Sequence, residues 1–503
     1  MNLFFKYVLS GVVLLCISQS WAASPYPGYN FYASGTKCYL KDMNGNTIHT
    51  WTSRYSVMSH AYLLRDSSVL FPCSDNNDYG NGKFQSNVAL QGGRFQIIKW
   101  DGTIAWDFPY HSSSYMPHHD CTFYYTTNDI KELPTIFTVA ATIESDGTIA
   151  EKIVEIKPTG ATTAEIKWEW KAFEHSTTSG TDKPELLDIN KGYMSGGMGG
   201  GMFGKEWLHA NHVRYNQQLD LLVIDLKYLS EFIIIDHSTT TKEASGHTGG
   251  KYGKGGDILY RWGNPANYGC SGTKYLSQQH AAAWVPKYFP GTRKLLPGAG
   301  NILVISNGTR IGYEVVLPSN NGVYPRTAGN AYGPSTPLKT INIANMTGNE
   351  GSITRLPNGN TLICKGMGGN SAAEYDSTGT SVWTMTAQGA TELFRIDSSY
   401  LGSMILDTGD LITNSNNGYF AIKNSTNQLS CSMDKGSVKI SFGNSNFKNA
   451  EIHIFSLSGK SVYRKVVNTN EIMWRPLGRS DGPYIVKVSN GDQLSTGSFY
   501  YTR

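Results

Sequence analysis

A short phrase that recurs along most of the chain limits what this sequence can fold into. It appears as DMNGNTIHTW at 42–51, KWDGTIAWDF at 99–108, ESDGTIAEKIVEI at 144–156, LPNGNTLI at 356–363 and EYDSTGTSVWTM at 374–385. Each copy has an Asn-Gly, Asp-Gly or similar turn, followed by alternating β-branched and aromatic residues. The turn glycine permits a positive φ and the alternation is typical of a half-buried strand, so each copy predicts a β-hairpin.

The spacing of these hairpins favours a β-propeller. Gly45, Gly102 and Gly147 are separated by 57 and 45 residues, about the length of one propeller blade. The 54 glycines, 30 tyrosines and 11 tryptophans also favour many short strands joined by tight turns. A closed ring of small sheets leaves few exposed edges. We therefore expect an all-β protein whose main body is a β-propeller.

The overall charge and hydrophobic content exclude several classes of protein. The chain has 43 basic and 39 acidic residues and a formal net charge of +4 at pH 7. This net charge is too small for a surface that binds a nucleic-acid backbone, so we expect no nucleic-acid partner. A hydrophobic content of 40% with only 16% charged residues excludes disorder for the bulk of the chain.

The first residues, MNLFFKYVLSGVVLLCISQSWAAS, have the layout of a secretory signal peptide. A basic Lys6 precedes the apolar core at 8–17, and small residues near Ala22 and Ala23 form the cleavage zone. We predict a signal peptide at 1–23 and an exported protein that is periplasmic, displayed on the cell surface or secreted. No apolar run reaches the roughly 20 residues that a bilayer requires, so we expect no membrane span.

Six cysteines remain beyond this signal peptide, at positions 38, 73, 121, 270, 364 and 431. An even number in an oxidising compartment favours one or more disulfides, although buried free thiols are the alternative. No C-x-x-C pair occurs, which argues against a zinc site made of thiolates.

The character of the sequence changes near residue 430. The segments at 437–467 and 483–503 alternate apolar and polar residues, which predicts a small antiparallel β-sandwich over 430–503, after a propeller domain over 24–425. This tail is similar to the C-terminal sorting modules of some secreted bacterial proteins, and that resemblance implies a secretion machinery as a partner. A plain accessory sandwich is the alternative.

Two segments interrupt the hairpin pattern. The glycine-rich KGYMSGGMGGGMFGKEW at 191–207 predicts a loop or lid, with a passive linker as the alternative. The polar DHSTTTKEASGHTGGKYGKGG at 236–256 also predicts a loop.

Three motifs contain most of the histidines that could carry chemistry. They are PHHDC with His118 and His119, EWLHANHVRYN with His209, Asn211 and His212, and LSQQHAAAW with His280. Residues from different blades of a propeller can meet at its central axis, so we expect these motifs to converge on one site. Separate structural roles are the alternative.

Several phrases together resemble the bacterial arylsulfate sulfotransferases, which are six-bladed propeller enzymes that use no nucleotide sulfate donor. GYNFYASGTKCYLKDMNGNTIHTW and GGRFQIIKWDGTIAWDF look like the opening blades of that family. PHHDC, WLHAN, GDILYRWGNPANYG, QQHAAAW and GNILVISNGTR then follow in the family's order. The resemblance spans about residues 28 to 420 and implies a six-bladed propeller without a cofactor.

The resemblance also implies the catalytic residues. The family forms a sulfohistidine on the histidine of the QH phrase, which is His280 here, and neutral imidazole is a sound nucleophile at pH 7. His119, His209 and Asn211 match the family's sulfuryl-binding positions, with His118 as the alternative to His119. One of these histidines would also move the proton of the phenol.

One position departs from the family pattern. Where the family has an arginine 18 residues after the WxHxN histidine, this chain has Lys227. A lysine keeps the positive charge but lacks the planar fork that binds two oxygens at once. Arg261 and Arg310, from neighbouring motifs, are candidates to bind the two sulfuryl oxygens instead.

Three classes of function therefore remain. The first is an enzyme with ping-pong kinetics that moves a sulfuryl group from an aryl sulfate ester to a phenolic acceptor, or to water as a hydrolase. The second is a zinc or copper site made of His118, His119, His209 and His280, although we expect no metal and no other cofactor. The third is a secreted propeller that binds a partner without catalysis.

Overall fold

The computed structural model describes residues 24–75, 84–86, 88–193, 205–319 and 321–397, and the segments 429–434, 437–442, 449–456, 461–475, 482–490 and 493–501. The predicted signal peptide, the centre of the glycine-rich segment and the linker near residue 425 lie outside these residues. None of the described helices is long and apolar enough to cross a bilayer. The described chain is nearly all β-structure, as the alternating pattern predicted.

The first half of the main body is built from twelve strands. They are β1 (Tyr29–Ser34), β2 (Lys37–Lys41), β3 (Thr47–Thr52), β4 (Ser56–Val57), β5 (Tyr62–Leu63), β6 (Val69–Ser74), β7 (Gly93–Ile98), β8 (Ile104–Pro109), β9 (Tyr115–Tyr124), β10 (Thr135–Ile143), β11 (Ile149–Pro158) and β12 (Ala164–Lys171).

The second half continues with short strands and one helical turn. The strands are β13 (Ser176–Thr177), β14 (Leu187–Asp188), β15 (Ala210–Asn216), β16 (Leu221–Leu226), β17 (Glu231–Asp236), β18 (Tyr260–Trp262), β19 (Gln279–Trp284), β20 (Ile302–Ser306), β21 (Ile311–Val315), β22 (Lys339–Asn342), β23 (Ser352–Arg355), β24 (Thr361–Cys364), β25 (Ser371–Tyr375), β26 (Ser381–Thr386) and β27 (Phe394–Ile396). Helix α1 is Thr241–Ala244, and 3-10 turns lie at Ala172–His175, Lys227–Leu229 and Pro265–Tyr268.

These strands form a six-bladed β-propeller, which confirms the predicted fold class. The six blade sheets among the described residues have the strand orders β27-β1-β2-β3, β4-β6-β7-β8 with β5 also paired to β6, β9-β10-β11-β12, β15-β16-β17-β18, β19-β20-β21-β22 and β23-β24-β25-β26. All neighbours within these sheets are antiparallel. The last strand, β27, pairs with the first, β1, and so closes the ring.

The repeated phrases form hairpins, as predicted from their turns. The turn residues Gly45, Gly102 and Gly147 have φ values of 85°, 86° and 81°, in the left-handed region that favours glycine. They connect β2 to β3, β7 to β8 and β10 to β11. The third hairpin therefore occupies an inner position of its blade, whereas the first two are outer hairpins.

Apolar side chains from neighbouring blades pack against each other and form the core. Between the third and fourth blades, for example, Phe137 and Trp168 lie in one cluster with Leu222 and Ile233, and all four are buried. The positions between these residues on β10, β16 and β17 are buried as well, because neighbouring blades cover both faces of each sheet.

The segment 236–256 is not entirely a loop. Thr240 caps α1, because its hydroxyl oxygen accepts the N–H of Glu243 at 3.2 Å while the Glu243 carboxylate accepts the N–H of Thr240 at 2.8 Å. This reciprocal pair satisfies the free N–H groups of a helix start, so a single helical turn forms within the polar segment.

The C-terminal part is a small β-sandwich, as predicted. Among the described residues, one sheet has three strands and the other has four. Buried residues of both sheets, including Ile440, Ile454 and Val486, form one core cluster. The strands are β28 (Leu429–Asp434), β29 (Ser437–Phe442), β30 (Ala450–Ser456), β31 (Ser461–Val467), β32 (Glu471–Trp474), β33 (Gly482–Asn490) and β34 (Gln493–Tyr501).

The cysteines of the propeller do not form the disulfides that their even number favoured. The thiols of Cys38, Cys73, Cys121, Cys270 and Cys364 are free and buried. Each lies within or beside an apolar cluster, so the alternative expectation of buried free thiols holds for these five residues. The side chain of Cys431 lies outside the described part of the chain.

Candidate active site at the propeller axis

Residues from four blades meet where the innermost strands begin. The ring centroids of His119 and His209 are 4.6 Å apart, and Asn211 Nδ2 donates to the carbonyl oxygen of Gln279 at 2.9 Å. Glu350 Oε1 lies 3.8 Å from His119 Nε2 and 3.6 Å from His280 Nε2. The axial cluster is defined as His119, His209, Asn211, Lys227, His280 and Glu350.

A β-bulge on each of three successive inner strands directs these side chains to the axis. On β9 the ladder to β10 shifts between the pairs Pro117–Ala140 and Cys121–Thr138, and His119 has a φ of 57°. The ladders of β15 and β19 shift beside Asn211 and directly after His280. A bulge inserts unpaired residues and bends the strand, so it re-aims side chains that a regular strand would hold in alternation.

His280 presents a free lone pair from Nε2. Its Nδ1 faces two acceptors, Asn307 Oδ1 at 2.9 Å and the Gln278 carbonyl oxygen at 3.1 Å, so Nδ1 carries the proton. The Asn307 amide is fixed in this orientation because its Nδ2 donates to the carbonyl oxygens of Glu350 and Thr347. Among the described residues, Nε2 has no hydrogen-bond partner.

Burial and the nearby Lys227 charge lower the pKa of His280 to about 3. The imidazole is therefore neutral at pH 7. A neutral ring with its proton held at Nδ1 and an unpartnered Nε2 is the form of histidine that can attack an electrophile.

His209 is held in the same tautomer. Its Nδ1 donates to Glu206 Oε1 at 2.9 Å, and Tyr228 donates to the other oxygen of that carboxylate at 2.9 Å. Burial lowers the pKa of His209, although Glu206 opposes this shift. Its Nε2 is buried and has no hydrogen-bond partner in the described part of the chain.

His118 and His119 form a chain that ends at a carboxylate. The two Nδ1 atoms are 2.7 Å apart, and His118 Nε2 lies 2.8 Å from Glu151 Oε2. Burial alone would lower the pKa of His118, but Glu151, Glu206 and Glu350 together raise it. Burial, with the neighbouring His209, holds the pKa of His119 well below its usual value.

The raised pKa of His118 and the lowered pKa of His119 favour a proton on His118 over one on His119. A protonated His118 donates from both nitrogens, so its Nδ1–H is directed to the bare Nδ1 of His119. Neutral His119 must then carry its own proton on Nε2, the atom that faces Glu350. Of the two histidines in PHHDC, His119 is therefore the one at the cluster, and His118 lies behind it.

Lys227 reaches the cluster because its turn pairs with the backbone beside His209. The Lys227 N–H donates to the His209 carbonyl oxygen at 3.2 Å, and the Tyr228 N–H donates to Leu208. Lys227 Nζ lies 3.4 Å from Asn349 Oδ1. Burial lowers the pKa of its ammonium group, while Glu350 and Glu206 oppose that shift.

The two candidate arginines are not in the cluster. Arg261 lies on the outermost strand of its blade, and its buried guanidinium binds both carboxylate oxygens of Glu231 and the carbonyl oxygen of Leu186. Because its N–H donors bind Glu231 and Leu186, Arg261 does not supply the expected two-point contact with the sulfuryl oxygens. Arg310 lies exposed in the β20–β21 turn, three residues after Asn307.

Sequence reasoning missed the acidic members of the site. Glu350, Glu206 and Glu151 are each 5% exposed or less and contact a histidine of the motifs. Burial and Glu392 raise the pKa of Glu350 to about 7, against the opposing charge of Lys227. A signal for Glu350 was present in the sequence, since Glu350 shortly precedes the repeated phrase LPNGNTLI and lies just before the first strand of that blade.

Two groups of described residues have the donor types of a metal site. His60, Asp120 and Glu392 lie close together below the cluster, but Arg214 already bridges both carboxylates. His175, His247 and Asp257 form the other group, in which both Nδ1 atoms lie 2.8 Å from Asp257 Oδ1. Neither group contains the four histidines of the metal alternative.

No protein-family model and no curated protein matches the chain. Solved structures similar to it include a Lactobacillus plantarum protein, with 8% identity and a TM-score of 0.37 over 74% of this chain and 100% of that one. The periplasmic gluconolactonase PpgL of Pseudomonas aeruginosa has 11% identity and a TM-score of 0.39 over 73% and 98%. A candidate 6-phosphogluconolactonase of Bacteroides fragilis has 10% identity and a TM-score of 0.36 over 74% and 100%. Likeness at this level carries no information on activity.

Proposed function

We propose that this protein is an exported sulfotransferase that moves a sulfuryl group from an aryl sulfate ester to a phenolic acceptor through a sulfohistidine on His280. The observation that carries the proposal is the state of His280. Its ring is neutral, its Nδ1–H is fixed by Asn307, and its Nε2 lone pair is unpartnered. A buried structural histidine would have both nitrogens satisfied.

The surroundings of His280 suit the transfer of an anionic group. The sulfuryl group in flight spreads negative charge over three oxygens, as a phosphoryl group does. Lys227 supplies positive charge, and the Nε2–H of His119 is a donor that is already oriented by His118. Donors that are fixed before the reaction need no reorganisation during it, which is why they lower the barrier.

The predicted signal peptide and the C-terminal sandwich support a reaction that takes place outside the cytoplasm. The predicted signal peptide would direct the chain out of the cytoplasm, and the proposed reaction takes its sulfuryl group from an aryl sulfate and needs no nucleotide sulfate donor. The C-terminal module would engage a secretion machinery. The phenolic acceptor and the aryl sulfate donor are then the only partners that the chemistry requires.

The test is incubation of the mature protein with 4-nitrophenyl sulfate, with and without added phenol. We expect nitrophenol release that rises with the phenol concentration, together with formation of phenyl sulfate. Release that no phenol stimulates would identify a hydrolase. No release from any aryl sulfate would contradict the proposal and favour a binding protein.

The nucleophile is identified by intact mass and peptide mapping after a short pulse of donor. We expect a sulfuryl adduct on His280 and none in a folded His280→Ala variant, which should also lose turnover. His209 also presents a free Nε2, so an adduct on His209 would contradict the assignment. His175→Ala is the matched control, because His175 is as buried but lies outside the cluster.

A further inference from the structure

We propose that Glu151, His118 and His119 form a proton relay that protonates the departing phenolate, which suits the site to aryl sulfates of weakly acidic phenols. The inference rests on the proposed sulfuryl transfer and deepens it by naming the class of sulfuryl donor. His118 and Glu151 contact neither reacting atom and act through His119, so they are positioning residues.

The geometry of the relay is continuous from the carboxylate to the cluster. Glu151 Oε2 is 2.8 Å from His118 Nε2, and His118 Nδ1 is 2.7 Å from His119 Nδ1. The far nitrogen of His119, Nε2, faces the space between His280 and Glu350. Each of the three side chains comes from β9 or β11 of the same blade, so no motion between blades is needed.

The anchor of the relay is itself fixed. The second oxygen of Glu151, Oε1, accepts the N–H of Ala210 at 2.9 Å, next to His209 in the following blade. Both imidazoles and the carboxylate are buried, with at most 3% of each residue exposed. Burial of charge is costly, so a charged chain in this position weighs against a purely structural role.

The first half-reaction balances with the protons already present. The Nε2 lone pair of His280 attacks sulfur, the N–S bond forms, and the bond between sulfur and the aryl oxygen breaks with its electron pair on oxygen. The Nε2 proton of His119 moves to that oxygen, and the Nδ1 proton of His118 moves to His119 Nδ1. His118 ends neutral, with its remaining proton on Nε2 toward Glu151.

The second half-reaction reverses these steps. The acceptor hydroxyl gives its proton to His119 Nε2 as its oxygen attacks sulfur, and the N–S electron pair returns to His280. The proton on His119 Nδ1 then returns to His118, which restores the imidazolium. The cycle therefore needs no co-reactant beyond the two phenols.

The relay matters only when the leaving group is basic. A nitrophenolate is stable in water at neutral pH and leaves without a proton. A phenolate whose conjugate acid resembles the tyrosine side chain, with a pKa of about 10, leaves far more readily when it is protonated as the bond breaks. A site with a charged proton relay therefore suits aryl sulfates whose phenols have a pKa of about 10 more than nitrophenyl sulfates.

The test compares 4-nitrophenyl sulfate and phenyl sulfate as sulfuryl donors for the full-length mature protein and its variants. For His118→Gln we expect a loss of less than about threefold with 4-nitrophenyl sulfate and about 100-fold with phenyl sulfate, the range of general acid catalysis. Glu151→Gln removes the charge and can accept only one of the two hydrogen bonds, from Ala210 N–H or from His118 Nε2–H, so it should show the same selectivity.

The control variant is His175→Gln, which removes an equally buried histidine that pairs with Asp257. It should change both rates by the same factor, as any variant that only lowers the folded fraction would. Equal losses for the two sulfuryl donors in folded His118→Gln would overturn the relay. If the wild-type protein transfers from neither donor, the proposed function itself fails, which is a separate outcome.

A measurement on the wild-type protein covers the case in which these variants do not fold. The rate with phenyl sulfate is followed in mixtures of light and heavy water. Two protons that move together give a curved dependence on the deuterium fraction, which we expect. A linear dependence would mean that one proton moves and that His118 takes no part, and would overturn the proposal.

Discussion

Glu350 places a carboxyl group where an anionic substrate must bind. Its Oε1 lies 3.6 Å from the attacking nitrogen of His280, and an ionised carboxylate there would repel the sulfuryl oxygens. Burial and Glu392 raise the pKa of Glu350 to about 7, so the group is protonated in slightly acidic solution. The protonated form is neutral and can donate a hydrogen bond to the substrate.

Glu350→Gln should therefore remove a loss of activity at high pH. In the wild-type protein we expect kcat/KM for the sulfuryl donor to fall as the pH rises through about 7, because Glu350 ionises. The charges of Lys227 and His60 and the hydrogen bond from Ser59 oppose the upward shift of the Glu350 pKa. The glutamine variant should give a flatter profile.

A pH series of initial rates checks this expectation, with His175→Gln as the control that should keep the wild-type profile. A glutamine variant that is inactive at every pH would mean that Glu350 itself carries a proton in the reaction. The repulsion account would then be wrong.

Lys227 supplies a positive charge that acts on both His280 and His209. Lys227→Ala should lower kcat by about 10²- to 10³-fold, the usual cost of removing one stabilising group at a developing charge. Lys227→Arg should preserve or raise the rate, because the guanidinium can bind two sulfuryl oxygens. Lys339→Ala, which removes a partly buried lysine from the outer strand β22, should leave the rate unchanged.

The same assay can contradict this role. If Lys227→Ala turns over at the wild-type rate, another cation must hold the sulfuryl group. The exposed Arg310 would then be the next residue to change.

The residue types of the site were easier to predict than their protonation. The motifs identified His119, His209, Asn211 and His280, and the structure brings all four together at the axis. The tautomers depend on Glu206, three residues before His209, and on Asn307 and Glu151, which come from other strands and turns. The contacts of Glu151 and Asn307 join different strands and turns of one blade, so no local pattern in the sequence contains them, whereas Glu206 lies within the EWLHANHVRYN motif.

At the scale of the element, the bulges explain why the site residues do not follow strand alternation. Gln278 and Ala281, which flank the QH pair, have φ values of 53° and 67°, and Leu208 beside His209 has 76°. Left-handed backbone costs a residue with a Cβ about 1–2 kcal/mol, so three such residues near one site are costly. The cost is consistent with a backbone that is shaped for the side chains it presents.

Ala281 offers a test of this strained backbone. Ala281→Gly should leave the free energy of unfolding within about 1 kcal/mol of the wild-type value, because relief of left-handed strain offsets the entropy of glycine. Ala281→Val should cost more than about 2 kcal/mol, since a β-branched side chain tolerates this φ poorly and Ala281 is buried. It should also lower adduct formation on His280.

Urea unfolding of the two variants measures these differences. Ala283→Val is the control, because Ala283 is in the same strand but pairs regularly with Leu303. If valine costs the same at 281 and 283, the bulge stores no strain.

The hairpins illustrate what sequence could and could not predict at this scale. Their turns and alternation predicted the strand pairs, and the positive φ of Gly45, Gly102 and Gly147 agrees. The spacing of the turns was a weaker guide, because Gly147 lies in an inner hairpin while the other two lie in outer ones. The repeat marks turns, and a turn alone does not say which strands of a blade it joins.

At the scale of the whole molecule, a buried ionic network joins the blades below the cluster. Asp120 of the third blade accepts the Val213 N–H at 2.8 Å and binds the Arg214 guanidinium, both from the fourth. His60 of the second blade lies 2.9 Å from the same carboxylate. Arg214 also binds Glu392, just before the closing strand β27, at 3.1 Å. The network therefore connects four of the six blades.

Asp120 should make the stability of the propeller sensitive to acid. Arg214, His212 and His60 outweigh the effect of burial and hold the pKa of Asp120 below its usual value. A carboxyl whose pKa is lower in the folded state stabilises the fold above its unfolded pKa, about 3.9, and this contribution is lost as the pH falls below that value. Glu392, the other acid of the network, has a raised pKa and contributes in the opposite sense at higher pH.

Asp120→Asn removes the charge and keeps the size of the side chain. At pH 7 we expect the free energy of unfolding to fall by about 3–5 kcal/mol, because Arg214 is left buried with one carboxylate instead of two. At pH 3 the difference from the wild-type protein should shrink, since the wild-type carboxyl has begun to lose its advantage there. Val139→Ala, a buried apolar change on β10, should cost the same at both pH values. An asparagine deficit that stays constant from pH 7 to pH 3 would show that Asp120 stabilises the ring by packing alone.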